Sequence, residues 1–303
     1  MCITQLCRRI SRNERNKQTP KEKFGIRIPR NTREALMIDR NNRNHKWGEA
    51  IAKEMKSLDK LNAFIYHAPT KQFSKSDGWK YAPLHMIYSV KAEDGRYKAR
   101  LVAGGHVVDS SNYTTYSSTV EGLSIRLLRL IARQQGLSIM TGDIGNAFIA
   151  APCKERIWTR AGPEFGDKEG SVIEFNKALY GLSTSPKAFH DFLGDTLRNM
   201  GFTPSRADQD IWYKQSSHYD GYDYIGVHDD DIMIAAKRRG EYMDMIEKQF
   251  NIRNKTDSPD YYLGNDQTIR KGKPHISCKK YILEALRSYQ AKHGCLKKEL
   301  IPM

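Results

Sequence analysis

Apolar residues recur at two different periods along this chain, and the two periods predict helices and strands respectively. Residues 45–60 place Trp47, Ile51, Met55 and Leu58 at helical spacing, which predicts one buried helical face. Residues 185–200 carry a comparable stripe and are followed by a glycine, a common helix terminator. The other predicted helices cover residues 121–136, 240–250 and 279–290.

Runs of alternating or continuous apolar residues predict strands between these helices. Residues 84–91 and 96–103 read as two strands joined by a turn that contains Asp-Gly, a pair that hairpins favour. Further strands are predicted at residues 210–214, 222–227 and 232–236, with a short pair around 261–269 and 274–279. The mixture of both element types predicts an α/β chain.

Charge divides the chain into a basic leader and a larger remainder. The 303 residues carry a formal net charge of +15, and residues 1–43 hold 12 Lys/Arg and 4 Asp/Glu, a net of +8. This leader has few large apolar residues, so residues 1–43 are predicted to be disordered and residues 44–303 to form the folded domain. Phosphate-bearing polymers are the usual partners of such a positive field.

Targeting and cysteine patterns restrict the compartment. The sequence contains no apolar run long enough for a membrane span, and its N-terminus lacks the apolar segment of a secretory signal. Its five cysteines are scattered and form no CxxC pair, which supports neither a zinc site nor a disulfide framework. We therefore expect an intracellular protein that is not secreted and has no membrane partner.

Three consecutive aspartates, Asp229, Asp230 and Asp231, interrupt an otherwise apolar hairpin. The nearest basic residue in sequence is Lys237, so no adjacent cation offsets their charge. A fourth carboxylate, Asp143, lies where another apolar strand runs into a helical turn. Two aspartates at a turn are usually only solvated. Because both sites lie between apolar strand residues, the combination favours carboxylates that share divalent cations such as Mg²⁺.

Six segments, in chain order, resemble reverse transcriptases of the Ty1/copia retrotransposon class. The resemblance runs from about residue 45 to residue 303, and its closing LIPM is similar to an STPM-like segment. The six segments are RYKARLVAGG (96–105), MTGDIGNAFIAA (140–151), KALYGLSTSPKAFH (177–190), VHDDDIMIA (227–235), YYLGNDQTI (261–269) and CKKYILEAL (278–286).

The resemblance implies a right-hand polymerase fold and an RNA-directed DNA polymerase activity. Fingers and palm would cover about residues 44–240, and the palm–thumb junction with the start of a partial thumb would cover about 241–303. The implied partners are an RNA or DNA template with a DNA primer, a deoxynucleoside triphosphate, and the ribonuclease H and integrase domains of a Pol polyprotein. Two Mg²⁺ ions, or Mn²⁺ in their place, are the implied cofactors, and a cytoplasmic particle or the nucleus is the implied location.

The family's catalytic, metal-binding carboxylates fall on Asp143, Asp230 and Asp231 when the downstream apolar run is placed in register. Asp229 then stands where the family often has valine, and His228 where it often has tyrosine. Strand alternation would put Asp229 and Asp231 on one face and Asp230 on the other. A tight turn would break that alternation, and both arrangements remain open from the sequence.

The resemblance also implies residues that bind the substrates. Lys98 and Arg100 alternate on a strand and can face a triphosphate, while Phe148 would crowd the sugar 2′ position. Asn265 and Asp266 differ from the apolar residues usual beside the primer-holding turn. The implied nucleotide-binding residues are Lys98, Arg100, Phe148, Tyr180 and Gly181, and the implied primer-binding residues are Leu263 and Gly264.

Two other functions compete with the polymerase. The first is a catalytically inactive retroelement remnant that folds and binds nucleic acid, which the HDDD motif favours. The second is a general basic RNA-binding protein, which would be indifferent to loss of Asp230. Clustered aspartates argue against the second, because a surface that binds phosphates gains nothing from them.

Overall fold

The computed structural model describes residues 21–91, 95–270 and 273–294. The tip of the first predicted hairpin, residues 1–20 of the predicted leader and the LIPM segment lie outside these ranges. The helices within them are α1 (Thr32–Asn41), α2 (Lys46–Lys60), α3 (Gly122–Gln134), α4 (Ala147–Ala150), α5 (Ser185–Asn199), α6 (Arg239–Glu247) and α7 (Lys279–His293). None of the described helices is long and apolar enough to cross a membrane.

The strands agree with the predicted positions and add several short ones. The strands are β1 (Lys21–Lys23), β2 (Ile26–Ile28), β3 (Phe64–His67), β4 (Lys80–Tyr81), β5 (Leu84–Val90), β6 (Tyr97–Ala103), β7 (Ser138–Ile144), β8 (Ile157–Arg160), β9 (Val172–Phe175), β10 (Thr203–Pro204), β11 (Ile211–Gln215), β12 (Tyr222–His228), β13 (Asp231–Ala236), β14 (Ile252–Asp257), β15 (Tyr261–Tyr262), β16 (Asn265–Arg270) and β17 (Lys273–Ser277).

The chain divides into two compact units. Unit 1 contains the described residues up to 117 together with residues 146–193. It holds a four-stranded sheet of order β3-β9-β8-β4 and the separate hairpin β5-β6. Helix α2 contacts β6, and Trp47 on that helix is fully buried, with its ring 5.4 Å from Tyr88 and 4.4 Å from Tyr97. The apolar stripe predicted on α2 is therefore core packing.

Unit 2 contains residues 118–145 and the described residues from 194 onward. Its main sheet has six antiparallel strands in the order β10-β11-β12-β13-β7-β14. Helices α3 and α6 both contact the middle strands β13 and β7. A three-stranded sheet, β15-β16-β17, follows and is contacted by α7. The aspartates singled out in the sequence all lie at one end of β12, β13 and β7.

Residues 32–41 belong to the leader that was predicted to be disordered, but in the structure they form helix α1. The helix begins at Asn31, whose side chain accepts a hydrogen bond from the Glu34 backbone N–H. Asp39 is buried and its carboxylate accepts hydrogen bonds from the N–H groups of Trp47 and Gly48 at 3.1 and 2.8 Å. Side-chain hydrogen bonds at the starts of α1 and α2 stabilise this segment. The prediction of disorder was based on its low apolar content and did not take these hydrogen bonds into account.

Candidate active site

The aspartates occupy a two-residue hairpin turn between β12 and β13. His228 and Asp231 are the last paired residues, and Asp229 and Asp230 form the turn itself. Asp229 has a φ of +51°, a left-handed conformation that aspartate tolerates better than β-branched residues do. The turn therefore breaks the strand alternation at this point. It also gives a physical reason for aspartate at a position where the resemblance leads one to expect valine.

Asp143 at the end of β7 lies directly opposite Asp231 on β13. The neighbouring pair is hydrogen-bonded, since the N–H of Ile144 donates to the carbonyl of Asp230 at 2.7 Å. Because hydrogen-bonded and non-hydrogen-bonded pairs alternate, Asp143 and Asp231 form a non-hydrogen-bonded pair, whose Cα atoms are typically about 4.5 Å apart. The fold thus brings two of the three predicted carboxylates together, with Asp230 next to them in the chain.

Asp231 is partly buried and lies beside other carboxylates, and both conditions favour its protonated form. Burial, followed by the charges of Asp230 and Asp143, raises the pKa of Asp231 to about 6. No group of three or more potential ligands within the described residues is already arranged as a metal cage. Mg²⁺ needs only one or two carboxylates and completes its shell with water and phosphate oxygens. The oxygen donors and the closely spaced carboxylates therefore fit divalent cations.

A basic residue that the sequence analysis did not identify lies on the other side of Asp143. Strand β14 pairs with β7 so that Arg253 is the cross-strand neighbour of Asp143. Its guanidinium lies over Gly145, where a Cβ atom would come within 2.2 Å of Arg253 Nε. Asp143 is thus flanked by Asp231 on one strand and by a cation on the next. Only the pairing of β14 reveals this, because Arg253 is distant in sequence.

Unit 1 brings together three of the five predicted nucleotide-binding residues. The guanidinium carbon of Arg100 lies 4.7 Å from the ring centroid of Tyr180, and that ring lies 5.1 Å from the ring of Phe148. Phe148 also lies 6.2 Å from Phe189, so it has core neighbours on one side. Lys98 lies two residues before Arg100 on the same face of β6, opposite the buried face of that strand.

Gly181, the fifth residue of that set, has a structural reason to lack a side chain. Its φ is +95°, and a Cβ atom there would lie 2.1 Å from the carbonyl oxygen of Ala103. The N–H of Ala103 in turn donates to the carbonyl of Tyr180 at 2.7 Å. The Tyr180–Gly181 segment is therefore held against Ala103 at the end of β6, and we call this contact the clamp of unit 1. The close approach is by itself sufficient to require glycine at position 181.

The predicted primer-binding residues Leu263 and Gly264 form the turn between β15 and β16. Both have positive φ, +47° and +77°. The two polar residues that follow have local partners. The side chain of Asn265 donates to the Leu263 carbonyl at 2.9 Å, and Asp266 accepts from the Lys280 N–H at the start of α7 at 2.8 Å. Their departure from the family pattern thus stabilises the turn and a helix start.

Comparison with known proteins decides the family. The family model described as reverse transcriptase (RNA-dependent DNA polymerase) matches residues 72–299. The chain belongs to the reverse transcriptase family. The matched range contains every residue that the sequence analysis assigned to catalysis, nucleotide binding or primer binding, and this membership confirms the resemblance noted in the sequence.

The relatives place this reverse transcriptase in the Ty1/copia class. The retrovirus-related Pol polyproteins from transposons RE1 and RE2 of Arabidopsis thaliana are each 29% identical, over 66% and 63% of this chain. The truncated transposon Ty1-A Gag-Pol polyprotein of Saccharomyces cerevisiae is 28% identical over 58% of this chain. The chain spans only 13% to 16% of the length of these relatives.

Solved structures of more distant reverse transcriptases were also found. Two structures of a foamy viral protease–reverse transcriptase with double-stranded DNA have TM-scores of 0.45 and 0.43 and identities of 17% and 18%. They cover 80% and 82% of this chain, and this chain covers 39% and 47% of theirs. The family assignment rests on the match of the family model to residues 72–299.

Proposed function

We propose that this chain is an RNA-directed DNA polymerase that transfers a deoxynucleotide to a primer 3′-hydroxyl. The observation that carries the proposal is the cross-strand pair of Asp143 and Asp231, with Asp230 adjacent, in a chain of the reverse transcriptase family. In the same proposal, residues 44–240 supply fingers and palm, and residues 241–303 supply the palm–thumb junction and the start of the thumb.

The three carboxylates would hold two divalent cations, Mg²⁺ or Mn²⁺. Once bound, these ions would lower the pKa of the primer hydroxyl and stabilise the charge on the departing pyrophosphate. The protein's part is to orient the carboxylate oxygens from two paired strands and one tight turn. Arg253 can balance the charge of Asp143 while no cation is bound, which lowers the cost of keeping the carboxylates close.

Each unit would contribute its own predicted substrate-binding residues. Lys98 and Arg100 present positive charge on one face of β6, a pattern suited to a triphosphate. Tyr180 lies beside the Arg100 guanidinium and Phe148 packs against Tyr180 with its ring tilted, and the two rings would shape the space around the sugar. The Leu263–Gly264 turn would hold the primer strand, and the net charge of +15 favours the nucleic-acid backbone.

The inactive remnant is the second candidate, and Asp229 is the observation that favours it. A third carboxylate in the hairpin adds negative charge beside the pair that would bind cations, and it further raises the pKa of Asp231. Such a protein would keep nucleic-acid binding while losing nucleotidyl transfer. The two candidates therefore differ in one measurable activity.

Primer extension on an RNA template with a DNA primer tests the proposal, in Mg²⁺ and in Mn²⁺. We expect extension by the wild type and loss of at least about 100-fold in Asp230→Asn, since one ligand of the cations is removed. Asp220→Asn, at an exposed aspartate before β12, is the matched control. No extension by folded wild type in either metal would contradict the polymerase and favour the remnant.

A further inference from the structure

Arg129 on α3 presents hydrogen-bond donors that nothing in the described protein accepts. Its Nε and Nη2 atoms are both buried and have no hydrogen-bond partner among the described residues. The hydroxyl of Tyr262, on β15, is also buried without a partner. The guanidinium carbon of Arg129 lies 5.9 Å from the centre of the Tyr262 ring. Two side chains from different parts of unit 2 therefore bring unsatisfied, buried donors close together.

Arg129 and Tyr262 both line a cavity whose walls include no carboxylate. The cavity has a volume of about 160 Å³, and its polar walls are Arg126, Arg129, His228, Tyr262 and Asn265. On its other side Arg129 borders a second cavity of about 480 Å³, whose charged or titratable walls are Arg133, Asp260 and His275. The smaller cavity thus combines two arginines and a histidine without a negative charge.

Such an arrangement is costly for the protein alone. Burial lowers the pKa of Arg129 to about 10, yet the group remains a cation at neutral pH. Burial and the nearby charge of Asp231 raise the pKa of Tyr262 above its usual range, so its hydroxyl keeps its proton and can donate. Donor atoms that are buried without an acceptor are normally satisfied by a partner, so Nε and Nη2 of the half-buried Arg129 and the hydroxyl of Tyr262 call for a ligand.

We propose that Arg129 and Tyr262 bind a phosphate oxygen pair of the nucleic-acid backbone. The Nε and Nη2 atoms form one edge of the guanidinium, and two parallel N–H donors on that edge match two oxygens of a phosphate. Tyr262 adds a third donor. This assignment deepens the proposed function and rests on it for the identity of the ligand.

The position of the cavity favours the primer strand as the source of that phosphate. One wall is His228, which pairs with Asp231 at the carboxylate hairpin, and another is Leu263 of the predicted primer-binding turn. If the primer 3′-hydroxyl lies at the carboxylates, the phosphates nearest that end of the primer strand would lie close to the His228 and Leu263 side of the cavity. All the residues that line the cavity belong to unit 2, so the proposed phosphate site does not depend on how the two units are arranged.

Binding of a fluorescent primer–template duplex to the full chain, without divalent metal, tests the site by anisotropy over a range of salt concentrations. We expect Arg129→Met to weaken binding about tenfold, the size of one charge-assisted contact, and to lower the log–log salt slope by about one. Tyr262→Phe should weaken binding by a smaller factor. Arg206→Met is the matched control, because Arg206 is exposed and lines neither cavity.

Inorganic phosphate separates the two sources of such an anion. We expect it to raise the melting temperature of the wild type but not of Arg129→Met. A phosphate effect that depends on Arg129, with duplex binding equal in Arg129→Met and Arg206→Met, would overturn the assignment to nucleic acid. If Arg129→Met fails to fold by circular dichroism, Arg129→Lys takes its place, since it keeps the charge and loses the paired donors.

Equal binding by Arg129→Lys and the wild type would then overturn the proposal. Failure of the polymerase proposal would be recognised separately, by binding that depends on Arg129 in a protein that extends no primer.

Discussion

Arg100 in unit 1 is predicted to bind nucleotide and Asp231 in unit 2 to bind metal, and their surroundings differ. Arg100 lies over the ring of Tyr180, which is held by a backbone hydrogen bond to β6. Asp231 faces Asp143 across the sheet, and its pKa is raised by burial and by neighbouring carboxylates. The Arg100 cation of unit 1 thus has an aromatic partner, whereas Asp231 of unit 2 faces like charges, and the nearby cation Arg253 pairs across the sheet from Asp143 instead. Stability and function should therefore respond differently to substitution in the two places.

The largest expected effect concerns the clamp of unit 1. Gly181→Ala adds a Cβ at positive φ that meets the Ala103 carbonyl, so we expect a loss of about 3 kcal/mol in unfolding free energy. Gly78→Ala is the matched control, since Gly78 has a φ of +79° and open space around its Cβ position. Urea unfolding should show a loss of only about 1 kcal/mol there. Equal losses in both variants would show that the clamp adds nothing beyond backbone strain.

A second test concerns the carboxylate turn. Asp229→Val places a β-branched residue at a φ of +51°, and we expect a loss of about 1–2 kcal/mol in unfolding free energy. Asp229→Asn, which tolerates this conformation, should stay within about 0.5 kcal/mol of the wild type. If Asp229→Val is as stable as Asp229→Asn, the turn does not impose the left-handed conformation, and the explanation for aspartate at this position is wrong.

A third test measures the repulsion itself. Asp231→Asn removes one of two like charges that face each other across strands, so the free energy of unfolding should rise by about 1 kcal/mol at neutral pH. The same variant should lose primer extension, which would separate stability from activity. Asp220→Asn, at an exposed aspartate, should change neither. A loss of stability in Asp231→Asn would mean that the native carboxylate is already compensated.

The sequence predicted the parts of unit 2 in which apolar periodicity is strong. The hairpin of β12 and β13 and the helices α3 and α6 follow from their stripes and strand runs, and family membership confirms the reverse transcriptase resemblance. Strand β14 was missed because only Ile252 of its six residues is buried, so it shows no alternation. Arg253 was missed with it, since the importance of that residue depends on its pairing with β7.

Arg129 was missed for a different reason. In the sequence it occupies an ordinary polar position of an amphipathic helix, between Leu128 and Leu130. Its environment depends on the contact with Tyr262, and the two residues are more than 130 positions apart in the sequence. The short strands β3, β4, β8 and β9, of two to four residues each, were also too short for periodicity to indicate.

The smallest stability effect is expected at Arg100, and it distinguishes packing from substrate binding. Arg100→Met removes the cation over Tyr180 and should cost only about 0.5–1 kcal/mol of unfolding free energy. If Arg100 also binds the triphosphate, the KM for deoxynucleotide should rise about tenfold, with kcat changed less. Lys53→Met, at an exposed position of α2, controls for loss of one charge. If the KM is unchanged while stability falls as expected, Arg100 contributes only to packing. The cluster of Arg100, Tyr180 and Phe148 would then have no demonstrated part in nucleotide binding.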